Sequence, residues 1–465
     1  SIGIAGAFLV ISTVLAALTF LPALLCILGH RINSWRVPYL WRFTMGTDTH
    51  KSGKQELFWR GVATRVMKHP VLILGLVCII LLALGSPILS MRVGPTSVHS
   101  LPADTEARQG MNILSAQYPS FNYSTIDLVV ETTDQADILN SGNLQRLADL
   151  TAWLERQPHV KSVTSLMHPP SAPGTTPLTQ EQLTALYTSG AYQQNTALAQ
   201  FVRQYAAGGM TYVAVSSDAS TSSDDANNQI QSLRTHASNA VPGLKVLVGG
   251  EQASNLDFDD SLFGHFPWTI LFILLATLVL LTMMFRSLLL PLKAVIMNVI
   301  SISASYGVLV FVFQWGHLSS ILGFTSTGYV NDVVPIILFC VLFGLSMDYE
   351  VFLLSRIREE WLRTENNQQS VVLGLEKTGS VITNAALLFI VVTVAFTFTS
   401  ELETKQMGVG MTTSILVDAT IIRSLLVPAT MRLLGRWNWW FPGKKLPPKP
   451  QETHLEAIPQ PVESH

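Results

Sequence analysis

Charge is scarce in this 465-residue chain: Asp, Glu, Lys and Arg make up 13% of it, against about 25% in ordinary soluble domains. Together with a mean hydropathy of +0.36, this excludes a water-soluble enzyme of the common kind. The net charge is −2, so there is no basic excess with which to hold a nucleic-acid backbone. Only three cysteines occur, Cys26, Cys78 and Cys340, each inside an apolar stretch, which leaves no disulfide framework and no CxxC metal site. The eleven histidines form no H-E-x-x-H or comparable ligand spacing, so neither a metal nor another cofactor is expected. A phosphate-cradling P-loop is also missing, which argues against an ATP-driven pump within these residues.

What the chain does have is long apolar runs. A hydrocarbon core of about 30 Å takes roughly 20 helical residues to cross. Seven stretches qualify: Gly3–Leu28, Val71–Ser90, Phe266–Phe285, Leu288–Gln314, Val334–Ser355, Val381–Ser400 and Gly408–Leu434. The expected fold is a membrane α-helical bundle of about seven spans. Basic residues orient it. Arg31, Arg36, Arg42, Lys51, Lys54, Arg60, Arg65 and Lys68 mark residues 29–70 as a cytoplasmic linker. Alternation then puts residues 91–265 outside and residues 435–465 inside as a tail, with residues 266–434 forming a five-helix bundle. The Arg286 turn and the loop bearing Arg356, Arg358, Arg363 and Lys377 fall inside too. Trp437, Trp439 and Trp440 suit an interfacial belt beside Lys444 and Lys445, and the Pro-rich end from Pro447 reads as disordered.

The outer segment is large enough for a core of its own. Periodicity predicts a strand at 124–131, a helix at 143–156, strands at 160–167 and 211–217, a helix at 224–238 and a strand at 245–248. That β-α-β-β-α-β order is the ferredoxin-like pattern of an extracytoplasmic α/β domain. The Pro/Gly/Ser/Thr-rich run His168–Thr179 and a helical stretch at 180–206 read as an insertion. A weak internal repeat appears when Pro22 is laid on Pro428: F-L-P-A-L-L-C-I-L-G then faces L-V-P-A-T-M-R-L-L-G.

Asp348 and Tyr349 stand inside one of the spans, in G-L-S-M-D-Y-E-V-F-L-L-S-R. An Asp at the centre of a membrane helix costs roughly 2.5 to 3.5 kcal/mol, so a chain keeps one only where it faces protein or water. The functional reading is a titratable group that loads and unloads a proton; the bland one is polar glue between helices. Gly344, one turn earlier, leaves room for a close helix approach. Glu350 is expected to snorkel to the cytoplasmic end or pair with Arg356 or Arg358, ahead of a relay role, and Lys293 to snorkel to the inner interface, ahead of a place on a proton path. Asp418 and Arg423 share the last span. Five residues on an α-helix turn through about 140°, so each should seek a partner on another helix, Arg423 from Asp348 or from a buried network. Asn384 should add an interhelical hydrogen bond.

Four ordered tracts resemble the MMPL family of the resistance-nodulation-division superfamily, in its C-terminal half: L-P-A-D-T-E-A-R-Q-G from Leu101, F-R-S-L-L-L-P-L-K-A-V-I-M-N from Phe285, G-L-S-M-D-Y-E-V-F-L-L-S-R from Gly344 and L-V-D-A-T-I-I-R-S-L-L-V-P-A from Leu416. The resemblance implies a proton-motive-force-driven exporter, not an enzyme. Its cargo would be lipids, drugs or other amphiphiles, and the outer domain would be a porter domain. It also implies that Asp348 and Tyr349 are half of a proton relay, whose matching Asp-Tyr pair lies in a homologous first half upstream of Ser1. Read from the residues alone and not from the resemblance, Asp418, Arg423 and Asn384 are supporting intramembrane polar residues. Partners would then be the cargo, protons, membrane lipids and that first half. Two other functions stay open: a helper that couples protons to protein translocation, and a non-transporting lipid or sterol sensor. Cargo and oligomeric state are not written in these residues.

Overall fold

Seven helices are long and apolar enough to cross a membrane, and a small α/β domain is inserted between the second and third. The computed structural model describes residues 2–29, 49–102, 104–170, 177–219 and 224–442. Arg31, Arg36 and Arg42, part of the His168–Thr179 run, Lys444, Lys445 and the Pro-rich end from Pro447 lie outside the described residues.

In chain order, α1 (Ile2–Leu28) is a span whose apolar window has no residue buried against the rest of the chain. Next comes α2 (Thr49–Lys68), a helix where only a linker was expected. Trp59, Ala63, Val66 and Met67 fall on one side of it at helical spacing, and Trp59 packs against Gly379. This amphipathic stripe is too short and too charged to read as a span. The second span is α3 (Pro70–Gly85), which starts on Pro at a position where the missing N–H costs nothing. It tightens into a 3₁₀ turn at Ser86–Ser90.

The inserted domain contains β1 (Val93–Gly94), α4 (Glu106–Gln117), β2 (Ser124–Thr132), α5 (Ser141–Glu155), β3 (Val160–Thr164), α6 (Gln180–Thr188), α7 (Thr196–Tyr205), β4 (Ala206–Ala207), β5 (Met210–Ser217), α8 (Asp224–Ala240) and β6 (Leu244–Gly249). The main sheet runs β3-β5-β2-β6, every neighbour antiparallel, with β4 added to β5. Alternate residues Ile126, Leu128 and Val130 of β2 are fully buried, as a half-covered sheet requires. Leu144, Leu147 and Leu154 of α5 and Ile230 and Leu233 of α8 complete that core. The insertion forms two helices, α6 and α7, because Gly190 at φ 73° turns the chain between them and Asn195 caps the second.

The third span, α9 (Glu251–Phe285), is one unbroken helix of 35 residues, about 52 Å at 1.5 Å per residue. Its first turns pack Ala253 and Leu256 into the α/β core, and its later turns place Phe266 and Ile270 against the bundle, so one rigid element joins the two. After Arg286, which ends α9 at φ 49°, follow α10 (Leu289–Leu309), β7 (Val330–Asn331), α11 (Val333–Thr364), α12 (Asn367–Thr397), α13 (Leu402–Val417) and α14 (Val427–Leu434). Between α13 and α14 the chain stays helical, but Asp418–Leu426 is wound as a π-helix. A second π segment, Val310–Gln314, ends α10.

Helix α10 is the axis of the bundle, with α3, α9, α11 and α13 packed around it. It crosses α3 at Gly307, where the backbones of Leu84 and Gly85 come so close that no side chain fits. Gly344, expected to allow such an approach, is exposed and has nothing within 4 Å. At the end of the bundle nearest the α/β domain, β1 pairs in parallel with β7. There the Gln314 side chain accepts from Arg92 N at 2.8 Å and donates to Ser90 O at 2.6 Å. At the other end Trp439 does not join an outward-facing belt. It stacks on Trp361 with ring centroids 5.1 Å apart and donates to Asn367, while Trp437 stays exposed.

Candidate functional site

Polar groups inside an apolar bundle must find partners or pay for their desolvation, and here they gather where α10, α11 and the π segment meet. Asp418 and Arg423 are both buried. They are ion-paired through Arg423 Nη2 and Asp418 Oδ2. This overturns the expectation that a spacing of five keeps them apart. In the π-helix hydrogen bonding runs i→i+5, which stacks residues five apart on one face. Ser424 obeys the same register, its hydroxyl donating to Ala419 O at 3.2 Å.

From α11, Ser346 completes the pair. Its Oγ lies 3.0 Å from Asp418 Oδ2, and its carbonyl accepts from Arg423 Nη2 at 3.3 Å. The same hydroxyl bonds Asn298 of α10. One hydroxyl proton serves one acceptor at a time. An Asn298 amide turned by 180° would instead donate to Ser346 and leave the hydroxyl proton for Asp418.

Tyr349 joins from below. Its ring lies under the Arg423 guanidinium, 4.6 Å from Cζ to the centroid, a cation–π contact. Between Tyr349, Ser346, Asp418 and Arg423 is a cavity of about 10 Å³, with Leu342 and Ile415 among its apolar walls. That is room for about one water.

Asp348 is not in this cluster. One residue turns the helix by about 100°, and Asp348 stands exposed on the other side of α11, over a shallow recess shared with Phe352, Ser355, Arg356 and Glu359. It is neither buried in this chain nor the partner of Arg423. Asn384 is also apart: half-buried on α12, it makes no hydrogen bond with a described residue. Glu350 and Lys293, expected to snorkel, are instead 5% and 8% exposed. Arg356 pairs with Glu359 and Arg358 donates to Met284 O, so neither reaches Glu350.

Ser346 and Asn298 are the cluster members that the sequence did not single out for it. Their signal is position: Ser346 lies two residues before Asp348, and Asn298 closes the K-A-V-I-M-N tract. At the far end of α11, Asp332 caps the helix by accepting from Val333 N at 2.8 Å, and burial pushes its carboxyl above the usual range.

The MMPL family model matches residues 99–455, about three quarters of the chain and the whole of this site. The chain belongs to the MMPL family. The multi-pass architecture of MMPL proteins agrees with the seven apolar helices. One relative is similar along most of its length and two along just under half of it. The trehalose monomycolate exporter MmpL3 of Mycobacterium tuberculosis is 30% identical over 93% of this chain and 44% of its own length. The mycolic acid-containing lipids exporter MmpL11 of Mycolicibacterium smegmatis is 41% identical over 46% of this chain and 23% of its own. The heme uptake protein MmpL11 of Mycobacterium tuberculosis is 39% identical over 47% of this chain and 22% of its own. This MMPL chain thus spans less than half the length of each of these relatives.

Proposed function

We propose that this chain is the relay-bearing part of a proton-coupled transporter that exports amphiphilic molecules, lipids foremost. One observation carries the reading: a buried Asp418–Arg423 pair on the π segment, bonded to Ser346 of α11 and in contact with Tyr349 of α11, whose neighbour Asp348 faces outward. A structural salt bridge alone would not need the π-wound helix, and π segments recur at functional sites. The exposed Asp348 face is where a matching helix of a homologous first half would dock, pairing Asp348 with its Tyr and Tyr349 with its Asp. The driving force suffices. A proton crossing 100 mV releases about 2.3 kcal/mol, and each pH unit adds about 1.4 kcal/mol.

The names of the relatives support an amphiphilic cargo, since two are exporters of mycolate-type lipids and one concerns heme. The sheet order β3-β5-β2-β6 with α5 and α8 as crossovers supports reading the inserted unit as a ferredoxin-like porter domain, and the charge distribution of the loops supports placing it outside. A cavity of about 940 Å³ lies where that domain meets the bundle, lined by Arg108, Asp127, Glu251, Gln252, Phe121 and Tyr329 among others. Its size and its mix of polar and aromatic walls suit the head of such a cargo.

The test is proton flux in proteoliposomes of the full-length protein. Asp348→Asn should abolish flux and gradient-driven export at normal expression. Tyr349→Phe should slow both, because the ring and its contact with Arg423 survive while the hydroxyl is lost. Wild-type flux in Asp348→Asn would remove Asp348 from the mechanism. Lipid and heme profiles of a deletion strain would then choose the cargo.

A further inference from the structure

Some of the buried polar atoms that find no hydrogen-bond partner among the described residues lie on α10 and α11. They include Lys293 Nζ, Asn298 Nδ2, Ser301 Oγ and Glu350 Oε1. Burying an unpaired ammonium or carboxylate costs several kcal/mol, and a well-packed apolar pair would be cheaper. Lys293 of α10 and Glu350 of α11 are nevertheless both buried where these two helices pack. They interact electrostatically without an ion pair inside 4.0 Å, and Glu350 is also within electrostatic reach of Asp418 and Arg423.

Their heights in the bundle give this a direction. Glu350 is four residues past Ser346 on α11, hence one turn along the same face. Lys293 is five residues before Asn298 on α10, which runs antiparallel, so it stands at a height similar to that of Glu350 but turned about 140° around α10, a turn its long side chain has to bridge. The pair is therefore a second rung below the one formed by Asn298, Ser346, Asp418 and Arg423. It is displaced toward the end that carries Arg286, Arg356 and Arg358. Below it on α11 the next ionisable groups are Arg356, Arg358 and Glu359, of which Arg356 and Glu359 are exposed while Arg358 is half-buried and donates to Met284 O.

We propose that Glu350 carries protons between the Asp418 rung and the basic end of the bundle, with Lys293 as its counter-charge. The proposal rests on the proton-coupled reading above. A proton delivered through water beside Asp418 converts the Glu350 carboxylate to the acid and leaves Lys293 as an uncompensated buried cation. That cation disfavours the protonated state and drives release of the same proton to water at the basic end, which restores the carboxylate. Atoms and charge balance over the cycle: one proton enters and one leaves. Glu350 is the proton-carrying residue, and Lys293 is a positioning residue.

The experiment uses the full-length protein in proteoliposomes with an internal pH dye, and compares Glu350→Gln, Lys293→Gln and the double variant. Glu350→Gln should lower proton flux at least tenfold. Lys293→Gln should shift the pH profile of the remaining flux, and Lys293→Arg should bring it back. The double variant removes both buried charges, so it should fold at least as well as either single variant, yet stay at least tenfold down in flux. It carries the test if a single variant fails to fold. Flux within twofold of wild type in a folded double variant would overturn the proposal and leave a structural pair. So would an unchanged pH profile in Lys293→Gln, for the role of Lys293. Asp348→Asn, run in parallel, separates the two levels. If it transports protons normally, the coupled reading fails and this inference with it. If it is dead while the double variant is active, only this inference fails.

Discussion

Arg423 is almost wholly buried, and its neutraliser is five residues away on its own helix. Removing one partner of such a pair strands the other charge in a low-dielectric interior, which typically costs about 3 to 5 kcal/mol, whereas replacing both by apolar groups of similar volume is often neutral. Asp418→Asn should therefore lower the melting temperature in detergent sharply. The double variant Asp418→Leu with Arg423→Met should recover most of it while remaining inactive in transport. Ser346→Ala, which removes a hydrogen bond to a charged group, should cost about 1 to 3 kcal/mol. A double variant as unstable as Asp418→Asn would show that the pair is held for more than mutual compensation. Asp418 and Arg423 were visible in the sequence as costly polar groups in apolar runs, but their pairing was not. The angle between Asp418 and Arg423 was reckoned on α-helical winding, and no residue between them announces a π segment. Glu350 and Lys293 were misplaced for a similar reason. Long side chains near a span's end ordinarily reach for water, and only packing reveals that these two turn inward.

Among the elements, the tightest constraint is the crossing of α3 and α10. A Cβ on Gly307 would collide with Leu84 O and sit 2.9 Å from Gly85 Cα, backbone atoms that cannot swing aside. Small residues let membrane helices pack at this range, where van der Waals contact replaces the missing hydrophobic drive. Gly307→Ala should thus push α10 off α3 and cost at least about 1 to 3 kcal/mol. Because α10 is the axis of the bundle, folded yield should drop as well. Gly344→Ala in the same chain should cost nothing and gain up to about 1 kcal/mol of helix propensity, since a Cβ there would meet nothing within 4 Å. Paired thermal melts in detergent decide the matter, and equal losses at both positions would refute the crossing as the cause. A glycine's role cannot be read from its place in an apolar run, because both sit on long helices among similar neighbours. Strands and amphipathic helices were more legible. Alternation in β2 and the 3.6-residue stripe of α5 depend on which face is wet, and that is written locally. The α2 helix escaped notice because its stripe is diluted by charge.

For the molecule as a whole, seven apolar helices and an inserted α/β unit follow from hydropathy and periodicity. Which faces stay open does not. Residues 6–28 of α1 are all exposed, and so is the Asp348 side of α11, so this chain offers large surfaces to lipid or to further protein. Orientation is the property of the whole on which the direction of any proton path depends, and it rests on basic residues gathered at one end. It can be measured with single cysteines in a full-length background in which Cys26, Cys78 and Cys340 are replaced by alanine. Thr188 and Gln369 are both exposed, one in the α/β domain and one at the basic end of α12. Thr188→Cys should react with a membrane-impermeant maleimide in intact cells, and Gln369→Cys only after permeabilisation. The inverse pattern would turn the molecule over. Glu350 would then lie on the entry side of the path rather than the exit side, and the α/β domain could not receive cargo outside the membrane.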